Sequence, residues 1–212
     1  MALKLASLVL VVAAAALGLG AGALGPRAVP PESVPVAFWA WQTRAPRPAD
    51  VEAAAALTRG TPLFLRAGQL DLAGGRVRRI RPVEGPLPRG AVLHVVYNAT
   101  SALLDGFERV EPAAFAGAVR AALDEDMARA AGDGATIAGL QLDLDAPTRL
   151  LPHYERLLVA VHASLPSETS FSITGLPTWM ESPALVSTLG AVDFWVPQCY
   201  GAEIPDRAER AL

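Results

Sequence analysis

The sequence predicts an α/β domain of the TIM (β/α)8-barrel type, incomplete, with about six strand–helix units. Three observations predict it. Short apolar runs alternate with helical patterns, which favours a parallel sheet. No Gly-x-Gly-x-x-Gly and no phosphate loop follows the first apolar run, so nucleotide-binding versions of such a sheet lose support. Several of the runs also carry polar side chains on one face, ending in polar residues, where a doubly wound sheet covered on both sides would be apolar on both faces. A barrel lumen open at the carboxyl ends of its strands accommodates such rows.

Residues 1–24 come before the domain. Lys4 precedes a long uncharged apolar run, and Ala21-Gly22-Ala23 offers a small-x-small cleavage pattern. The run reads as a signal peptide or as an N-terminal membrane anchor, residues 5–24 being about long enough to span a bilayer. Either way the domain is expected to be exported, periplasmic or extracellular. Residues 25–33 form a Pro-rich tether, and residues 34–212 form the domain, with its last strands missing.

Within the domain, residues 34–41 are the first strand and 49–58 a helix with Asp50 near its start. Residues 62–66 are a second strand. Residues 68–82 are a hairpin around Gly74-Gly75 whose Arg76, Arg78, Arg79 and Arg81 keep an edge ribbon soluble. A third strand covers 91–97. Residues 111–131 are an amphipathic helix with Pro112 in its first turn and Gly132-Asp133-Gly134 as its stop. Residues 136–145 are strand four, 150–164 a helix, 169–176 strand five, 183–189 a short helix and 192–200 strand six. The formal net charge of −3 shows no basic stripe, so no nucleic-acid partner is expected. One cysteine, Cys199, excludes an internal disulfide. His153 and His162 are nine residues apart and no Cys/His group has zinc spacing, so neither metal nor cofactor is implied.

The chemistry concentrates on strand four. Alternation puts Leu140, Leu142 and Leu144 on one face and Gln141, Asp143 and Asp145 on the other. Two carboxylates at i and i+2, about 6.6 Å apart along the strand, repel each other, so one keeps its proton to higher pH and can act as a general acid. Asn98 ends strand three on the face of His94 and Val96, and Gln198 and Tyr200 end strand six. The alternative is structural, with the carboxylates paired to Arg66 at the end of strand two. Trp179, just past strand five, is either a platform for a sugar ring or a packing residue, and Trp39, Trp41 and His94 lean towards packing.

Residues 138–145, Ala-Gly-Leu-Gln-Leu-Asp-Leu-Asp, resemble the strand-four signature Asp-Gly-x-Asp-x-Asp-x-Glu of chitinase-like (family 18) glycoside hydrolases. Residues 192–201 resemble the Met-x-Tyr-Asp ending of strand six in that superfamily. Together with residues 173–179, these segments are also similar to an uncharacterised bacterial family of TIM-barrel, glycosidase-like domains of unknown function. The resemblance implies an exported glycoside hydrolase-like protein acting on a polysaccharide or oligosaccharide. Asp145 would stand where those enzymes keep their acid Glu, and Asp143 and Tyr200 where they hold the substrate's N-acetyl group. Gln141, Gln198, Trp179 and Asn98 join them as candidate substrate-binding residues. Ala138, Gln141, Gln198 and Gly201 depart from the pattern, and Asp145 is one methylene shorter than Glu. Two further readings therefore stand beside hydrolysis: a glycan-binding barrel without turnover, and an envelope scaffold.

Overall fold

The computed structural model describes residues 36–199, apart from residue 59, together with the two-residue strand β1 (Val9–Leu10), which pairs antiparallel with β2 (Val36–Ala37). The rest of residues 1–24 and the tether, the segments expected to direct export, lie outside the described residues. No helix among the described residues is long and apolar enough to cross a membrane.

Strand and helix alternate through the chain. After β2 come β3 (Trp39–Ala40), α1 (Pro48–Thr58), β4 (Leu63–Ala73), β5 (Arg76–Ile80), β6 (Val92–Ala99), α2 (Ser101–Asp105), α3 (Pro112–Asp133), β7 (Thr136–Asp143), α4 (Leu151–Ser164), β8 (Ser170–Gly175), α5 (Leu185–Leu189) and β9 (Phe194–Pro197). The main sheet runs β3-β4-β6-β7-β8-β9, all parallel, with β5 antiparallel on β4. The hairpin turns through Gly74 and Gly75, both at positive φ (58° and 74°), as a two-residue loop of right-twisted strands requires. The helices pack on one side. Pro112 opens α3 and Gly134, left-handed at φ 78°, closes it, while Phe115, Val119 and Leu123 recur at i, i+4 to line the buried stripe. They meet Leu93, Val95, Tyr97, Leu140, Leu142, Phe171 and Ile173 from the sheet.

The opposite face is concave and filled by side chains reaching across it. Trp39 Nε1 on β3 donates to Gln141 Oε1 on β7 at 2.8 Å, and Gln141 Nε2 donates to Ser172 Oγ on β8 at 3.2 Å. Strands β3 and β7 would be about 14 Å apart in a flat sheet. Likewise Phe64 of β4 meets Phe194 of β9 edge-on with ring centroids 6.5 Å apart, four strand spacings away. The sheet is therefore strongly curled. Trp39, Phe64, Val96 and Val196 form a second, smaller core inside the curl. Gly139 makes room in it: a Cβ there would lie 2.6 Å from the His94 ring.

These contacts correct the expected barrel. The described residues build a curled half-barrel with helices, an α/β fold, in which the outer strands β3 and β9 do not pair with each other. The polar rows on alternate positions need only curvature, because a sheet curled this far already faces part of itself. The polar rows that suggest an incomplete TIM-type barrel are satisfied equally by a half-barrel. Two irregularities add to the curl. The register slips between Arg66 and Gly68 on β4, leaving Ala67 over, and between Leu93 and His94 on β6, leaving Ala138 of β7 over.

The arginine ribbon is also more than a solubilising edge. Arg79 reaches from β5 to α3, pairing with Glu125 at 2.6 Å and with buried Asp126, which accepts a 2.7 Å bond from Tyr97 Oη. The Arg79 and Asp126 side chains are only 11% and 5% exposed, so the pair bonds the hairpin to the helix layer. Replacing Asp126 with Ala strands a buried guanidinium and is expected to lower stability by about 3–5 kcal/mol. An unchanged urea midpoint contradicts this. Gly139→Ala forces the buried His94 ring aside and should cost about 1–3 kcal/mol. A variant as stable as the parent in thermal unfolding counts against the tight packing inside the curl.

Candidate functional site

The site lies where β7, β8 and β9 end on the concave side. β7 finishes at Asp143, and the next three residues are pinned by alternate burial. Leu144 (1% exposed) and Ala146 (0%) are drawn into the helix-side core, which leaves Asp145 turned outward. Ala146 is held further by its carbonyl, which accepts a 2.8 Å bond from Trp179 Nε1. This pinning puts the Asp145 backbone in the left-handed region at φ 50°. Asp tolerates that conformation better than most residues, but it still carries strain, and such strain persists only where the surroundings impose it.

Two side chains converge on the carboxylates. Thr174 Oγ1 of β8 donates to Asp143 Oδ1 at 2.5 Å. Gln198 Nε2, just past β9, donates to Asp143 Oδ1 at 2.9 Å and to Asp145 Oδ1 at 3.1 Å. One nitrogen reaching both oxygens keeps them no more than 6.0 Å apart. Burial pushes the Asp143 carboxyl up to about 6, and the neighbouring Asp145 adds to the shift, while the bonds from Thr174 and Gln198 hold it back. Since both bonds end on Oδ1, a proton on Oδ2 leaves them in place. Asp143 thus carries the proton of the pair in mildly acidic solution, with exposed Asp145 beside it.

The other expected residues fall into two groups. Asn98 stands beside Asp143 in the β6–β7 register, its buried Oδ1 without a hydrogen-bond partner. Gln141, in contrast, is fully buried below the rim, and its amide is used by Trp39 and Ser172, so it holds the curl together. Trp179 is fully buried too, edge-on to Tyr154 with centroids 5.9 Å apart; it anchors the loop after Asp145 and presents no face to a ligand. Tyr200 lies outside the described residues. Arg66 forms no ion pair with Asp143 or Asp145, which removes the structural pairing entertained for it. His94, packed between Phe64 and Phe194, is pushed down to about 4 by burial and so is neutral above that pH.

Sequence reasoning missed Thr174 as a partner of Asp143, although its place two residues after Ser172 on a polar face was visible. It also missed Gln69, which the β4 bulge brings into register with Asn98. Among the described residues no three His, Cys, Asp or Glu side chains gather as metal ligands. Two hollows lie elsewhere, one of about 500 Å³ between α1 and β3 and one of about 170 Å³ near the amino ends of β4 and β6. Both are lined mainly by apolar and small side chains and neither contains a carboxylate pair, so the chemistry favours the open rim at Asp143.

A family model described as a domain of unknown function, DUF3142, matches residues 105–208. The stretch contains Asp143, Asp145, Thr174 and Gln198, while Arg66, Gln69 and Asn98 precede it. The match supports the likeness to a family of unknown function and does not extend to glycoside hydrolases. No curated protein and no solved structure matches the chain.

The raised Asp143 pKa has a direct consequence for stability. The folded state binds this proton more tightly than the unfolded chain, so the contribution of Asp143 becomes less favourable as pH rises from about 4 to about 6. The two-unit shift amounts to at most about 3 kcal/mol. Asp143→Asn is expected to remove that slope and to be at least as stable as the parent at pH 7. Urea unfolding at pH 4 and pH 7 measures it, and a slope that persists in the variant excludes Asp143 as its source.

Proposed function

We propose that the protein is an exported glycoside hydrolase-like enzyme acting on a polysaccharide, with the carboxylate pair at the end of β7 as its acid–base group. The observation that carries this is the joint hold of Gln198 on Asp143 and Asp145, one carboxyl half-buried with a raised pKa and the other exposed. Asp145 is the group that meets the glycosidic oxygen, and the proton it delivers is the one Asp143 holds, passed on once the Gln198 amide yields. Asp143 behind it keeps one proton on the pair below about pH 6, since two like charges this close resist ionising together. The separation of no more than 6.0 Å is nearer the spacing of about 5–5.5 Å typical of retaining glycosidases than the 6.5–9.5 Å of inverting ones. Asn98, with its unpartnered Oδ1, accepts from a sugar hydroxyl.

A second reading, glycan binding without turnover, is favoured by one feature. Gln198 already occupies an oxygen of each carboxylate, so reaction requires that amide to yield. Hydrolysis of a glycan panel, followed from pH 4 to pH 8, separates the two. The enzyme reading expects activity that falls above about pH 6 and drops about 100- to 10,000-fold in Asp145→Asn. Full activity in that variant sinks the catalytic assignment. Binding of the same glycans with no turnover at any pH selects the second reading.

A further inference from the structure

We propose that the β4–β6 side of the concave rim is a subsite for the carboxylate of an acidic sugar, with Arg66 as its ligand. This rests on the glycan reading above and names its substrate class. Arg66 is only 8% exposed, and its Nη1 is buried with no hydrogen-bond partner. Among the described residues it joins no ion pair. A buried guanidinium without an anion is strongly unfavourable, and buried donors in folded proteins are nearly always satisfied. Its surroundings make matters worse: burial disfavours its charge, and the positive charge of Arg81 repels it. This corner of the fold therefore holds positive charge that the described protein does not neutralise.

Its position points to the ligand. Arg66 follows Phe64 by two residues on the concave face and pairs in register with Val96, another concave residue. The slip at Ala67 then turns Gln69 to the same side, in register with Asn98, and Arg81 Nη1 donates to Gln69 Oε1 at 3.2 Å. Asn98 in turn adjoins Asp143. Across β4, β6 and β7 the rim thus passes from cationic to neutral to acidic. A ligand lying along it with a negative group can put that group only at the β4 end, where Arg66 lies two strand spacings and one residue pair from Asp143, about 12 Å in a flat sheet, and reaches up from the level of Gln141. A planar guanidinium fork suits a carboxylate held by two parallel bonds, and the free acceptor of Asn98 suits a hydroxyl of the same sugar chain. A uronic acid residue supplies both.

The test is calorimetric titration of the full chain with trigalacturonate, a sulfated trisaccharide and neutral xylotriose, for the parent, Arg66→Gln and Arg66→Met. The expected result is at least tenfold tighter binding of trigalacturonate than of xylotriose. Arg66→Gln should lose this preference while keeping its xylotriose affinity. Arg66→Met should melt no lower than the parent, because the cation it removes has no internal partner. Equal affinity for the acidic and neutral trimers, tighter binding of the sulfated sugar, or a preference that survives Arg66→Gln overturns the subsite and leaves the glycan reading standing. A melting point several degrees lower in Arg66→Met overturns it as well, since it reveals a structural partner. If no trisaccharide binds, the subsite and the glycan reading fall together.

Discussion

The hydrogen bond from Trp39 to Gln141 holds the fold in its working shape. It joins strands three places apart, and with Phe64 against Phe194 it fixes how far the sheet bends. The helices on the convex side would cover a flatter sheet just as well, since their core of Leu, Val and Phe is non-directional. Only the concave contacts demand curvature. Once the sheet is bent, the carboxyl ends of β6, β7, β8 and β9 point towards a common space, and Asn98, Asp143, Thr174 and Gln198 become neighbours. In a flat sheet Gln198 would stand two strands, about 10 Å, from Asp143, and both side chains would have to lie down along the sheet to make the 2.9 Å bond.

The lower interior and the upper rim divide the polar residues between support and chemistry. Gln141 and Ser172 satisfy each other and Trp39 in the dry layer, as buried polar groups must. One residue pair higher, Asp143 is half-buried with a raised pKa, Asp145 is held in a strained left-handed backbone and Asn98 keeps a buried oxygen unpartnered, while Arg66, level with Gln141, keeps a buried nitrogen unpartnered. Each of these costs stability. They gather along β4, β6 and β7, although His94, His153 and Tyr154 are also among the described residues that keep buried polar atoms unpartnered.

Much of this was legible in the sequence. The Gly74-Gly75 turn, the α3 boundaries at Pro112 and Gly134, and the alternation on β7 all follow from local rules, since one or two residues decide each of them. What was not legible depends on contacts between distant segments. Nothing near Gln141 announces that Trp39, 102 residues away, will take its amide. Trp179 looked equally suited to a ligand and to the core, and only the buried Ala146 carbonyl decides for the core. The barrel expectation failed for a related reason: alternation reports which face a residue takes, not how many strands share the curve. Arg79, grouped with three solvent-facing arginines, owes its burial to Asp126 and Tyr97, which lie on other elements.

The single extra residue in β4 has a consequence of its own. Before Ala67 the even-numbered residues Phe64 and Arg66 face the curl; after it the odd-numbered Gln69 does. The slip lets two polar side chains three positions apart serve the same rim, which an unbroken strand forbids. The strand's length is therefore as much a part of the site as its composition. Deleting Ala67 would restore regular pairing with Gln69 still on the rim and Leu70 still in the helix-side core, because the pairs 66–96, 68–97 and 69–98 then follow one another without a slip; a deletion or insertion beyond the bulge would instead swap the chemistry on the two faces of the strand's outer half. Length changes beyond the bulge should therefore be scarcer among functional descendants of the chain than loss of the extra residue itself.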